Sequence, residues 1–205
     1  MQAKGKFTYE VNDPDIDRTI SFRCATIKED VHRLHHWHHQ NHVIPFWKQN
    51  FSFPQYREYF QKLLADRHQT LYIGHLNGKP MSYWESYWAK DDIIAGHYEV
   101  EAGDQGIHLL FGPEEFLGKG YALPLLRAMT AFQFQHQDTK KVITEPDIRN
   151  EKVIHIFKKC GFEPQKEIDL PDKRALLMFC YRETFLGRWK DVDYIQDLYR
   201  SEQHV

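Results

Sequence analysis

Apolar and polar side chains alternate along Thr19-Ile-Ser-Phe-Arg-Cys24, the two-residue period of a half-buried strand. Lys28 to His42 has a helical but weakly amphipathic pattern. Residues 54–66 place Tyr56, Tyr59, Phe60, Leu63 and Leu64 at helical spacing, with Pro54 suited to a first turn. Thr70–Leu76 and Pro80–Trp88 predict two strands joined at Asn77-Gly78, since both turn residues tolerate positive φ. Gly106–Phe111 predicts a short buried strand, residues 120–135 a helix, and Lys141–Thr144 another strand. Asn150 opens a helix carrying Val153, Ile154 and Phe157, and Gly161 stops it. Strands near Phe162 and over 173–181 follow, then a helix over 190–200. Residues 1–16 are polar and read as a loose arm or an edge hairpin.

This order predicts an α+β fold (an α/β mixed sheet, part antiparallel, flanked by helices), with one domain over 17–205. The chain has 205 residues and a net charge of −2, which argues against a nucleic-acid partner needing a basic footprint. Its longest apolar run, Ala175–Tyr181, is strand-sized and far below the about 20 residues of a membrane span. The opening MQAKGKFTYEVND has no apolar core for a secretion signal. Cys24, Cys160 and Cys180 are odd in number and form no C-x-x-C pair, so a reducing cytoplasm is the expected compartment.

Gly118-Lys119-Gly120 lies between a predicted strand and a predicted helix. Glycines let the backbone approach a ligand, and the unsatisfied N–H groups of a helix start favour a phosphate. The loop is neither a Walker loop nor a G-x-G-x-x-G turn, and alone it reads equally as a plain helix start. With the strand before it and Asn150, Phe157, Gly161 and Phe162 after it, the chain resembles the GCN5-related N-acetyltransferase (GNAT) superfamily. That family's [QR]-x-x-G-x-[GA] loop corresponds to Glu115-x-x-Gly118-x-Gly120, an acid standing at the first position. The resemblance implies acetyl-CoA or another acyl-CoA as co-substrate, and no metal. Amides of Gly118, Lys119, Gly120, Tyr121 and Ala122 would hold the diphosphate, and the strand with Leu109 and Leu110 the pantetheine. Asn150 and Phe157 would complete the cofactor site. Family members often carry an acidic Tyr seven residues after the Asn; Phe157 there cannot donate a proton.

Trp37-x5-Val43-x-x-Phe46-Trp47, Pro80-x-x-Tyr83-x-Glu85-x-Tyr87-Trp88, Gly106-Ile-His108 and Glu145-Pro-Asp147-x-Arg149-Asn150 look like the siderophore-biosynthesis branch. That branch acylates N6-hydroxylysine, hydroxylated diamines or lysine. Aminoglycoside 6′-N-acetyltransferases share the Glu-Pro-Asp-x-x-Asn element and want acidic pockets, for which Asp91, Asp92, Glu99, Glu101 and Asp104 are available. A non-catalytic acyl-CoA sensor is the reading from another class. The partner expected is a small amine or hydroxylamine, and the protein a monomer or homodimer.

Acyl transfer needs a neutral nitrogen, a stabilised oxyanion and a place for the proton. An imidazole with an ordinary pKa can take a proton at pH 7, so His108 reads as a base or as a satisfied core histidine. Asp147 reads as a helix cap, or as the acid that binds the nitrogen or orients the imidazole. The resemblance implies His108 and Asp147 as the catalytic pair. Tyr83, Glu85 and Tyr87 share one strand face and, with Trp47, are expected to bind substrate. The cluster His32, His35, His36, His38, His39 and His42 reads as a solvated polar helix, since no His-Glu-x-x-His motif occurs. Lys140, Lys141, Arg149, Lys152, Lys158 and Lys159 read as a solvated face, or as attraction for a nucleotide 3′-phosphate.

Overall fold

One eight-stranded sheet carries the protein, whose residues 7–202 are described by a computed structural model. Its strands are β1 (Tyr9–Asp13), β2 (Arg18–Cys24), β3 (Gln69–Leu76), β4 (Lys79–Trp88), β5 (Gln105–Phe111), β6 (Lys141–Thr144), β7 (Glu163–Asp169) and β8 (Arg174–Tyr181). They lie in the order β1-β2-β3-β4-β5-β6-β8-β7. β1 to β5 pair antiparallel in turn, with tight hairpins joining β1 to β2 and β3 to β4; β5 and β6, linked through a helix, run parallel. The β3–β4 turn uses Asn77 at φ 48° and Gly78 at φ 73°, as its sequence predicts.

The β5–β6 pairing decides where a ligand can enter. Only Gln105 with Val142 and Gly106 with Ile143 are in register. Beyond Gly106, β5 runs on to Phe111, and among the described residues no strand pairs with that edge.

The helices are α1 (Ile27–His38), α2 (Ile44–Trp47), α3 (Phe53–Ala65), α4 (Ala122–Gln133), α5 (Glu151–Cys160), α6 (Arg182–Arg188) and α7 (Asp193–Glu202). Strand alternation sorts core side chains between the two faces of the sheet. Tyr83 and Leu110 pack with Leu34, Trp37, Tyr56 and Phe60 on the α1–α3 side. Trp84 and Ile107 pack with Leu126, Met129, Phe157 and Phe185 on the other.

Several expected boundaries move. The helix read over Lys28–His42 ends at His38, and a separate short turn, α2, follows. Of the two readings of residues 1–16, the edge hairpin holds for Tyr9–Asp13; residues 1–6 lie outside the described ones. The final helix, read over 190–200, is α7, and α6 before it carries no counterpart in the sequence reading. Among the described residues no helix is long and apolar enough to cross a membrane.

Candidate active site

Glu85 stands directly opposite His108 in the β4–β5 ladder, so both side chains leave the sheet on one face. His108 Nδ1 lies 3.0 Å from Glu85 Oε2, and Nε2 contacts Glu145 Oε1. Glu145 follows β6 and continues the face of Ile143, which clusters with Tyr87. Tyr83 donates its hydroxyl to Glu85 Oε1 at 2.9 Å, and Tyr87 donates to Glu145 Oε2 at 2.8 Å. Lys173, from the β7–β8 turn, places Nζ 3.5 Å from Glu145 Oε1. The Tyr87 ring centroid is 4.9 Å from the imidazole centroid.

These contacts set the charges. Burial pulls the His108 imidazole down, but the Glu145 and Glu85 carboxylates override it and raise the pKa to about 10. Burial pushes Glu145 up, but His108, Lys173 and the Tyr87 hydroxyl lower it to about 2. Burial, with neighbouring carboxylates, drives the Tyr83 and Tyr87 phenols well above their ordinary range. The neutral imidazole expected at pH 7 is therefore corrected: clamped between two carboxylates, the ring holds its proton. A stability consequence follows by linkage. The raised His108 contributes fully below its ordinary 6.5 and loses that contribution as pH rises towards about 10. Glu145 contributes above its ordinary 4.5 and loses it as pH falls towards about 2. Thermal melts across pH should show a plateau near pH 5–6 and a decline on the alkaline side that His108→Gln flattens. An unchanged alkaline slope in that variant would remove the clamp.

Asp147 reaches the same cavity wall, but its carboxylate is taken by Arg149, at 2.9 Å to Nε and 2.5 Å to Nη2. It also accepts the Arg149 amide at 2.9 Å, and the Arg149 side-chain bond, the larger cause, helps lower its pKa to about 2. The carboxylates touching the imidazole are thus Glu85 and Glu145, not Asp147. Pro146 and the 147–150 turn redirect the chain, so local bonds claim the Asp147 side chain.

A cavity of about 200 Å³ opens at this cluster and takes in Phe46, Trp47, Gln49, Asp147 and Lys173. A second, of about 720 Å³, runs along the free edge of β5 towards the glycine loop. The two share Phe46, Trp47, Leu109, Asn150, Val153 and Phe157 as a common wall. Trp47 turns its ring edge towards His108 at 6.4 Å and packs near Tyr83 at 5.8 Å. Asn150 caps α5 by accepting the Val153 amide at 3.3 Å.

Gly118 and Gly120 have φ of 71° and 80°, and a Cβ at either would meet nothing within 4 Å. The loop is open where a ligand backbone approach needs it. In α4 the Leu125 amide returns to Tyr121 O at 3.2 Å, leaving the earlier amides at the helix start. Gly118, Leu110 and Ala122 line the larger cavity; Lys119 and Gly120 are exposed beside it, and Tyr121 packs on Phe116. Glu115, which replaces the Gln or Arg of the family loop, pairs with Lys79 instead. Of the basic stretch, Arg149 and Lys152 line this cavity, while Lys141 turns to Glu101 at 2.9 Å and Asp104 at 3.2 Å.

The histidine cluster splits. His38 is buried, its Nδ1 donates to Leu34 O at 2.8 Å and lies 2.9 Å from the Tyr56 hydroxyl, and burial lowers its pKa to about 4. His42 bonds Phe111 O at 2.7 Å and lines the larger cavity. So the solvated-helix reading fails for these two, which face the α1–α3 core and the cavity. Among the described residues no group of three His, Cys, Asp or Glu side chains could hold a metal ion.

The sequence reading missed Glu145, Gln49 and Lys173. Glu145 could have been found, because it shares the parity of Ile143 and Asp147 at the end of a buried strand. Gln49, whose Oε1 is buried without a partner at the smaller cavity, sits in an irregular segment that carries no periodic signal.

Residues 26–170 match the acetyltransferase (GNAT) domain family. The N-hydroxyputrescine acetyltransferase of Acinetobacter baumannii is 36% identical over 167 residues, 82% of this chain and 80% of that protein. The N(6)-hydroxylysine O-acetyltransferase of Escherichia coli is 32% identical over 178 residues, 86% of this chain and 56% of that one. This chain therefore spans about half the length of the second relative. An uncharacterized protein from Bacillus halodurans superposes with a TM-score of 0.88 at 51% identity, over 92% of this chain and 96% of its own. The aminoglycoside acetyltransferase AAC(6')-Ib, crystallised with coenzyme A, superposes with a TM-score of 0.74 at 30% identity, over 81% of this chain and 96% of its own.

Proposed function

We propose that this chain, which belongs to the acetyltransferase (GNAT) domain family, carries an acetyl or related acyl group from coenzyme A to the nitrogen of a small hydroxylated amine. An N-hydroxydiamine or N6-hydroxylysine, as in siderophore precursors, is the acceptor class. The observation that carries this reading is the pair of cavities meeting at the β5–β6 divergence, one facing the glycine loop and the other the Glu85–His108–Glu145 cluster.

The donor fits the larger cavity. Amides from Gly118 to Ala122 hold the diphosphate at the start of α4, where the helix dipole favours an anion. The unpaired edge of β5 at Leu109 and Leu110 offers main-chain bonds to the pantetheine, and Asn150 and Phe157 wall the thioester end. Arg149, oriented by Asp147, and Lys152 add positive charge to the cavity lining. The acceptor fits the smaller cavity, framed by Trp47 and Glu85, with Tyr83 and Tyr87 fixing the two carboxylates. A coenzyme A donor and the absence of a C-x-x-C pair support a cytoplasmic reaction.

The aminoglycoside reading is weaker because Asp92, Glu101 and Asp104, of the acids available to it, are committed elsewhere. Asp104 is buried and accepts from Tyr98 and Lys141, and Asp92 caps a turn by accepting the Ile94 amide. Calorimetry with coenzyme A, then thiol release from acetyl-CoA with an N-hydroxydiamine, N6-hydroxylysine and kanamycin, tests the reading. Release should be faster with a hydroxylamine than with kanamycin, by about tenfold or more. Tight binding of coenzyme A with no release for any acceptor would replace it with the sensor.

A further inference from the structure

We propose that Glu85 and His108 divide the protons of acyl transfer between them: Glu85 takes the proton of the attacking nitrogen, and His108 gives one to the departing sulfur. This rests on the acyl-transfer reading and concerns which atoms carry its protons.

Both ring nitrogens of His108 face a carboxylate, Glu85 at 3.0 Å and Glu145 on the other edge. A neutral imidazole has one N–H and one lone pair, and would turn that lone pair on an anion. The doubly protonated ring donates on both edges. The groups around it support the cation: Glu85 from β4 with the Tyr83 hydroxyl behind it, and Glu145 after β6 with Tyr87 and Lys173 behind it. Lys173 is the opposing charge, and it stands behind Glu145 rather than against the ring. A ring that already carries both protons cannot be the first base. It is loaded to give one away.

The departing sulfur needs such a donor. Phe157, where relatives of the fold often place a tyrosine, is 2% exposed and packs edge-on to Phe162, with no proton to offer. His108 lines the same cavity as Phe157 and Leu109, the wall shared with the donor's channel. Of the two carboxylates, Glu145 is occupied by Tyr87, His108 and Lys173. Among the described residues Glu85 accepts from Tyr83 and His108 alone, and it lines the acceptor cavity.

The step balances without another reactant. The nitrogen lone pair forms the N–C bond to the thioester carbonyl. The C–S bond breaks and its electron pair leaves on sulfur. The proton shed by nitrogen goes to Glu85, and the Nδ1 proton of the His108 imidazolium makes the thiol, while Nε2–H stays on Glu145. The proton on Glu85 then crosses the 3.0 Å hydrogen bond to His108, restoring carboxylate and imidazolium. Glu145 stays ionised throughout and positions the ring.

Two acetyl donors separate the roles: acetyl-CoA, and the acetyl thioester of 4-nitrothiophenol, whose thiolate leaves without a proton. With an N-hydroxydiamine and acetyl-CoA, His108→Gln should slow turnover by about 10²- to 10³-fold. With the aryl thioester its deficit should shrink to about fivefold or less. Glu85→Gln should lose about a hundredfold with both donors, because the nitrogen still has a proton to shed. An equal His108→Gln deficit on the two donors overturns the proposal and moves His108 to the nitrogen side. Each variant is checked by melting and by calorimetric binding of coenzyme A. Should His108→Gln melt early, the wild-type pH profile decides. Turnover should fall at alkaline pH with acetyl-CoA but not with the aryl thioester, and the same profile for both donors would sink the assignment. No thiol release by the wild type with any acceptor would instead end the acyl-transfer reading itself.

Discussion

Alanine at position 106 is expected to cut turnover by about a hundredfold and to cost about 1–3 kcal/mol of stability. A Cβ on Gly106 would sit 2.0 Å from Tyr87 Cζ and 2.5 Å from its hydroxyl oxygen. The backbone is not the obstacle, because Gly106 is not among the positive-φ residues. The obstacle is the Tyr87 ring, which crosses β5 at this one position and reaches Glu145 at 2.8 Å. Glu145 in turn holds one edge of His108. Gly106 also forms the last β5–β6 pair, with Ile143, before the strands part. Adding one methyl group therefore pushes on the ring that fixes the carboxylate that fixes the imidazole. Small displacements of reacting groups are costly, since positioning supplies much of a catalytic barrier reduction. Gly106→Ala with Tyr87→Ala separates the steric cost from the chemical one. It should recover melting temperature towards that of Tyr87→Ala alone, but not turnover. Steady-state thiol release and thermal melting read both, and a fully active Gly106→Ala would show that the Tyr87 ring is not pinned there.

Much of this site was legible where one element decides it. The shared face of Tyr83, Glu85 and Tyr87 is strand alternation. The positive φ of Gly118 and Gly120, the Asn150 cap and the left-handed Gly161 are local backbone chemistry. What the sequence hid depends on pairs far apart in the chain. That His108 meets Glu145 depends on the parallel placement of β5 beside β6, which no period in either segment encodes. The imidazole's charge then follows from that meeting, so an ordinary histidine pKa misled the reading of its role. Asp147 meets Arg149 rather than the imidazole for the opposite reason: its partner is two residues away, in a turn whose geometry the Glu-Pro-Asp string does not spell out. β1 is short, polar and at the sheet edge, so its hydrophobic signal is faint.

Arg127→Met is expected to destabilise the protein by about 3–5 kcal/mol, a fall of roughly 10 °C in melting temperature. Arg127 lies in α4 with its side chain fully buried, and it binds Asp13 of β1 at 2.6 Å and the Tyr194 hydroxyl of α7 at 2.9 Å. Asp15 lies 2.7 Å from its other terminal nitrogen, and the Trp189 ring covers the guanidinium at 4.6 Å. Tyr194 also donates to Asp13 at 3.0 Å. One cation thus ties the first strand and the last helix to the helix that starts at the glycine loop. Removing it leaves the Asp13 carboxylate, itself fully buried, without a countercharge. The cost comes from that stranded charge more than from any net gain of the pair. Arg127→Met with Asp13→Leu should therefore regain most of the loss, since a buried pair replaced by apolar side chains is often near neutral. Urea titrations of the two single variants and the double variant measure the coupling. Simple addition of the two single losses would mean that Asp13 finds another partner, and that the edge strand is held by packing alone. Because α4 presents its first amides to the larger cavity, the single variant should also weaken coenzyme A binding while the double variant retains it. That second readout links the anchor to the donor site, for it distinguishes a helix that has shifted from a protein that has only become less stable.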